Sequence, residues 1–112
     1  MKYIITESQI DRMVFRYLDG LDMVKVKTPK FNTTRLFIKG QEMFPENALF
    51  NGYDEVDERE GAYRLLLVDN TLCKTIGLIF NITEFSYLGP LLLKWFNEYV
   101  DDNCVNVGMM NY

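Results

Sequence analysis

Met23-Val24-Lys25-Val26-Lys27, at residues 23–27, and Arg35-Leu36-Phe37-Ile38-Lys39, at residues 35–39, decide the fold. Both alternate with a period of two, which is the signature of a strand whose two faces meet different surroundings. Taking Val24, Val26, Leu36 and Ile38 as inward turns Lys25, Lys27, Arg35 and Lys39 to the opposite face together with Phe37. Pro29 ends the first run and Gly40 the second, so Thr28–Thr33 connects the two strands as a hairpin with a loop longer than a two-residue turn.

Upstream, the period is that of a helix. Thr6 and Gln9 have capping-box spacing, and Glu7 places negative charge in the first turn. Ile10, Met13, Val14, Tyr17, Leu18 and Leu21 then recur as one apolar stripe. Gly20 is expected to stop the helix in a left-handed conformation.

Downstream, residues 41–60 hold Pro45, Asn47, Asn51, Gly52 and the run Asp54-Glu55-Val56-Asp57-Glu58-Arg59-Glu60, with no visible period. They read as a long surface loop with a helical turn near Glu46–Phe50. Ala62–Val68 and Leu72–Phe80 read as two central strands, apolar on both faces and joined by a turn at Asp69-Asn70. A second helix follows, with Pro90 suited to its first turn. Its polar face is Lys94, Asn97, Glu98 and Asp101, and the rest of Leu91–Val100 is apolar. Val105, Val107 and Met109 alternate as a last strand.

The expected fold is α+β, a mostly antiparallel sheet of about five strands with two helices packed on it. The chain of 112 residues has the length of one domain, 1–112. Two cysteines, Cys73 and Cys104, are too few for a disulfide scaffold and read as buried thiols in a reducing compartment. The apolar start Met1–Ile5 is too short for a secretory signal, and no stretch has the length of a membrane span. The sequence therefore points to the cytoplasm of a cell or the interior of a particle, with no membrane partner, and the sequons at Asn32 and Asn81 carry no weight.

There is no histidine. That removes Ser-His-Asp and Cys-His nucleophilic systems and any zinc site that needs an imidazole. No glycine-rich phosphate loop is present, the acidic run lacks the spacing of a calcium loop, and no pair of carboxylates is marked for catalysis. The expectation is a non-enzyme with no cofactor and no metal.

Charge is segregated. Residues 1–40 carry +4, residues 41–60 carry −6 and residues 61–112 carry −2, for a net −4. Lys25, Lys27, Arg35 and Lys39 around Phe37 have the make-up of a single-stranded nucleic-acid surface, cations for phosphates and a ring for bases. Asp54, Glu55, Asp57 and Glu58 repel one another and are expected to order against a basic surface, more readily a partner's than the chain's own. Phe15, off the stripe of the first helix, and Leu91 and Leu93, on the over-wide apolar face of the second, are candidates for contact with a protein partner or a second copy.

Met1-Lys2-Tyr3-Ile4-Ile5-Thr6-Glu7-Ser8-Gln9 and Lys94-Trp95-Phe96-Asn97-Glu98-Tyr99, the latter followed by a short final strand, resemble small proteins encoded by tailed phages of marine and aquatic bacteria. The resemblance implies a viral setting, in the host cytoplasm or the virion, and no catalytic residue. The leading expectation is a small viral protein that works through protein–protein contacts, as a virion or assembly component or a binder of a host target. A nucleic-acid-binding accessory protein using the basic hairpin is the alternative, and a carboxylate-dependent hydrolase the third.

Overall fold

The structure, a computed structural model, describes residues 7–59 and 61–110. It opens with helix α1, Glu7–Asp19. Val14 and Leu18 are wholly buried on its apolar stripe, with Ile10, Tyr17 and Leu21 half-buried beside them, while Met13 turns out to solvent. Thr6 lies outside the described residues. Gly20 is not left-handed: its N–H still reaches the Arg16 carbonyl at 3.1 Å, and Leu21 N–H returns to Leu18 O, so the helix ends by tightening.

Strands β1 (Met23–Thr28) and β2 (Thr33–Ile38) form the expected antiparallel hairpin around a short 3-10 turn, Pro29–Phe31. Asn32 closes that turn in the left-handed region at φ 47°, where its backbone N–H bonds Pro29 O. The register corrects the reading of the faces. Lys25 stands opposite Leu36 and Lys27 opposite Thr34, whereas Val24 stands opposite Phe37 and Val26 opposite Arg35. Lys25 and Lys27 therefore share the core face of the sheet, at its edge, and Phe37 and Arg35 share the other face. Each strand alternates, but a one-residue offset between them exchanges the faces.

The segment read as an acidic loop contains a strand. After a second 3-10 turn at Pro45–Asn47, β3 runs from Phe50 to Asp57 and pairs along its whole length with β4, Gly61–Asp69. Only its first three residues, Phe50–Gly52, also pair with β2, so the acidic half extends beyond β2 as a two-stranded arm. Gly61, at φ 81°, supplies the left-handed residue that the turn demands. The pairing of the acidic half is held by its partner strand, and no period in residues 53–60 announces it.

Asp69-Asn70 is not a hairpin turn. Asp69 caps helix α2 (Asn70–Phe80), its Oδ2 accepting the Leu72 N–H at 3.0 Å. The stretch read as a strand, Leu72–Phe80, is therefore helical, with Leu72, Cys73 and Ile76 buried at helical spacing. Helix α3 runs Phe85–Val100 and places Pro90 in its interior, not in its first turn. Pro90 has no N–H to give the Ser86 carbonyl, and the helix continues through it on the packing of Leu88, Gly89, Leu91 and Leu92. Strand β5, Asn106–Met110, then lies parallel to β4.

The fold is α+β: a five-stranded sheet in the order β1-β2-β3-β4-β5, antiparallel except for its last pair, and three helices where two were expected. The core lies between the sheet and the helices. Phe50 packs against Trp95 and Phe96 with ring centroids 5.2 Å and 5.8 Å apart. Gly52 admits the Phe96 ring, since a Cβ there would stand 3.1 Å from it. Two long-range polar contacts fix α1 to α3: the Trp95 indole N–H donates to Asp19 at 2.9 Å and the Tyr87 hydroxyl to Asp11 at 2.8 Å. Among the described residues no single helix is long and apolar enough to cross a membrane.

Candidate functional site

Two concavities flank the helical layer. The first is polar, about 740 Å³, and opens beside β1, β4 and the chain leaving α3, with Lys27, Asp54, Tyr63, Arg64, Asp101 and Asp102 in its walls. Arg64 organises it. Its Nε and Nη2 donate to the two carboxylate oxygens of Asp102 at 2.7 Å and 3.0 Å. Nη1 donates to the Asn32 carbonyl at 2.6 Å and to Asp54 at 3.2 Å, and Nη2 also reaches the Gly52 carbonyl at 3.3 Å. Every N–H of the guanidinium is taken. The Asp102 hydrogen bonds hold the Arg64 pKa above its ordinary value, against the effect of burial. Burial works to raise the Asp102 carboxyl, but Arg64 and the Asn103 N–H bring it below the usual range. Asp54 is lowered by hydrogen bonds from Asn32 and Arg64.

This cluster joins β3, β4, the β1–β2 turn and the α3–β5 link. Arg64 keeps no donor for a substrate anion and Asp102 accepts three hydrogen bonds, so the cleft holds the chain together. Among the described residues no three His, Cys, Asp or Glu side chains are grouped to hold a metal ion.

The acidic run is split by this arrangement. Asp54, expected to pair outward, pairs inward with Arg64 and Asn32. Asp57 accepts the Arg59 backbone N–H at 2.7 Å in the turn, while Glu55 and Glu58 lie on the arm. The basic constellation is split as well. Phe37 is only 2% exposed, so it presents no ring on which a base can stack. Lys39 sits near Asp22 at 3.8 Å, a fully hydrated pair, and Lys27 turns toward the polar cleft.

The apolar candidates move inward. Leu91 is buried, and Phe15 and Leu93 are half-buried against the core. Apolar surface is instead left over on another flank, where the second concavity lies. It is a groove of about 580 Å³ between α2, the start of α3 and β5, with Cys73, Leu78, Ile82, Phe85, Leu88 and Met109 in its walls. Leu78 on α2 is 86% exposed at its lip, Ile79 is exposed beside it, and Met109 of β5 is 40% exposed across it. Gly77 leaves room for the Ile82 carbonyl, which a Cβ would approach to 2.7 Å, and that close approach shapes the end of α2.

The sequence reading missed Arg64, Asp102, Leu78 and Met109. The signal for the first pair was the lone arginine of the apolar run Ala62–Val68. The signal for the second was Asp69, whose capping role makes Leu72–Phe80 a helix with more apolar residues than one face buries. No protein-family model, curated protein or solved structure matches this chain.

Proposed function

We propose that this is a small non-enzymatic protein that works by binding protein, and that the apolar flank of α2 and β5 is its contact surface. The observation that supports the reading is Leu78, held almost fully in water at the lip of an apolar groove, with Ile79 and Met109 beside it. Isolated exposed apolar residues are ordinary, but a contiguous patch beside an apolar concavity is the usual form of a protein-binding surface. The setting suggested by the resemblance of Met1–Gln9 and Lys94–Tyr99 is a phage particle or an infected cell, where the protein acts as an assembly component or binds a host target.

A photo-cross-linking residue in place of Leu78 tests this. In cells that make the protein it should yield a discrete protein adduct, either of this chain or of another. The same residue in place of Lys30, on the β1–β2 turn, should yield none. Absence of an adduct at position 78, or equal labelling at both positions, overturns the reading.

A further inference from the structure

The two edges of the sheet are built differently. Strand β1 carries Lys25 and Lys27, both exposed, and charged side chains along an edge discourage pairing with another chain. Strand β5, from Asn106 to Met110, carries no charge at all, and among the described residues no strand lies beyond it. Residues before it add Val105, which is also exposed. An uncharged edge beside exposed apolar side chains is a template for strand addition.

We infer that the β5 edge and the groove beside it bind a second copy of this chain, so that two sheets join through an antiparallel β5–β5 pair. The inference rests on the reading of this flank as a protein contact surface and names its occupant. Three features fit a copy. The edge has no charge pattern with which to select a foreign sequence, whereas a two-fold axis needs only that the patch match itself. The alternation of β5 puts Val107 and Met109 on the helix side, where Val107 packs at Gly89 and Met109 lines the groove. Antiparallel pairing therefore brings the helix-side apolar residues of both copies together at the seam, with Leu78 of each beside it. The rim of the groove, finally, holds one exposed cation, Lys74, and one exposed anion, Glu84. In a two-fold interface Lys74 of one copy approaches Glu84 of the other, and the reverse, so the rim is self-complementary.

Sedimentation equilibrium of the pure protein, combined with amide hydrogen exchange at low and high concentration, tests the proposal. The expected result is a dimer whose amides over Asn106–Met109 exchange more slowly as concentration rises, with β1 amides unchanged. Met109→Lys, which gives β5 the device that β1 already has, should weaken dimerisation by about tenfold or more. Leu78→Asp should do the same. Both side chains are exposed, and unchanged melting of the diluted variants confirms that they fold. A monomer at every concentration overturns the proposal, even where the position-78 adduct shows that the flank binds another protein. A dimer indifferent to both substitutions, with β5 exchange independent of concentration, overturns it equally.

Discussion

Arg64 on β4 and Asp102, two residues past the end of α3, hold each other by two parallel hydrogen bonds of 2.7 Å and 3.0 Å, with side chains only 10% and 8% exposed. Removing one member of such a pair leaves the other charge stranded. Asp102→Ala is expected to lower unfolding free energy by about 3 kcal/mol, since Asp54 retains only part of the guanidinium. Replacing both, as Arg64→Met with Asp102→Leu, should recover most of that loss. Urea midpoints of the three variants measure it, and a single-mutant cost below about 0.5 kcal/mol would reduce the pair to an ordinary surface contact.

The same contacts set the response to acid. Asp54 and Asp102 both have folded pKa values below the usual carboxylate range, by Asn32 and Arg64 in the first case and by Arg64 against burial in the second. In the unfolded chain they take up protons first as pH falls. Their contribution is therefore complete above about pH 5 and is lost as pH drops through the folded values. Melting temperature should fall with acid over that window, and the Asp102→Asn profile should be flatter than that of the parent.

Cys73 and Cys104 are free and buried, and burial pushes each thiol up to about 11. Neither should react with an aromatic disulfide reagent at pH 8 in the folded protein, because the thiolate is the nucleophile. Labelling should follow unfolding and track the urea transition. On the alkaline side the unfolded chain releases these protons first, so stability should decline between about pH 9 and 11. Fast labelling without urea would contradict the burial of either sulfur.

Gly77→Ala is expected to cost about 1–3 kcal/mol, because its Cβ would stand 2.7 Å from the Ile82 carbonyl oxygen, an atom of the backbone that cannot turn aside. Gly77 O also accepts the Ile82 N–H at 2.9 Å, so the strain falls on the turn that launches α3. Asn81→Gly, at the neighbouring left-handed position with φ 56°, should be tolerated. Thermal melts of the two variants separate the cases, and equal melting would remove the packing argument.

Local chemistry made α1 and the β1–β2 hairpin legible in the sequence, since Val14, Leu18, Pro29 and the alternating lysines act over a few residues. What was misread depends on distant partners. The acidic strand β3 has no period of its own and is strand only because β4 pairs with it. Leu72–Phe80 is too evenly apolar to reveal its period, and Asp69, equally at home in a turn or a cap, decided it. Of the candidate site, the charged residues were visible but their grouping was not. One residue of register separates Lys25 from Phe37, and the partner of Arg64 lies far along the chain at Asp102.

The single parallel pair has a consequence for the order in which the chain acquires structure. Strands β1 to β4 follow one another by short turns, so the meander closes on local contacts. Strand β5 reaches β4 only after both α2 and α3, and such a closure carries a greater entropic cost. During synthesis the Leu65–Asp69 edge of β4, to which β5 belongs, emerges well before its partner does. For that interval it is an open apolar edge, and the crowding of nascent chains rather than the stability of the finished protein sets how much of it is lost to aggregation.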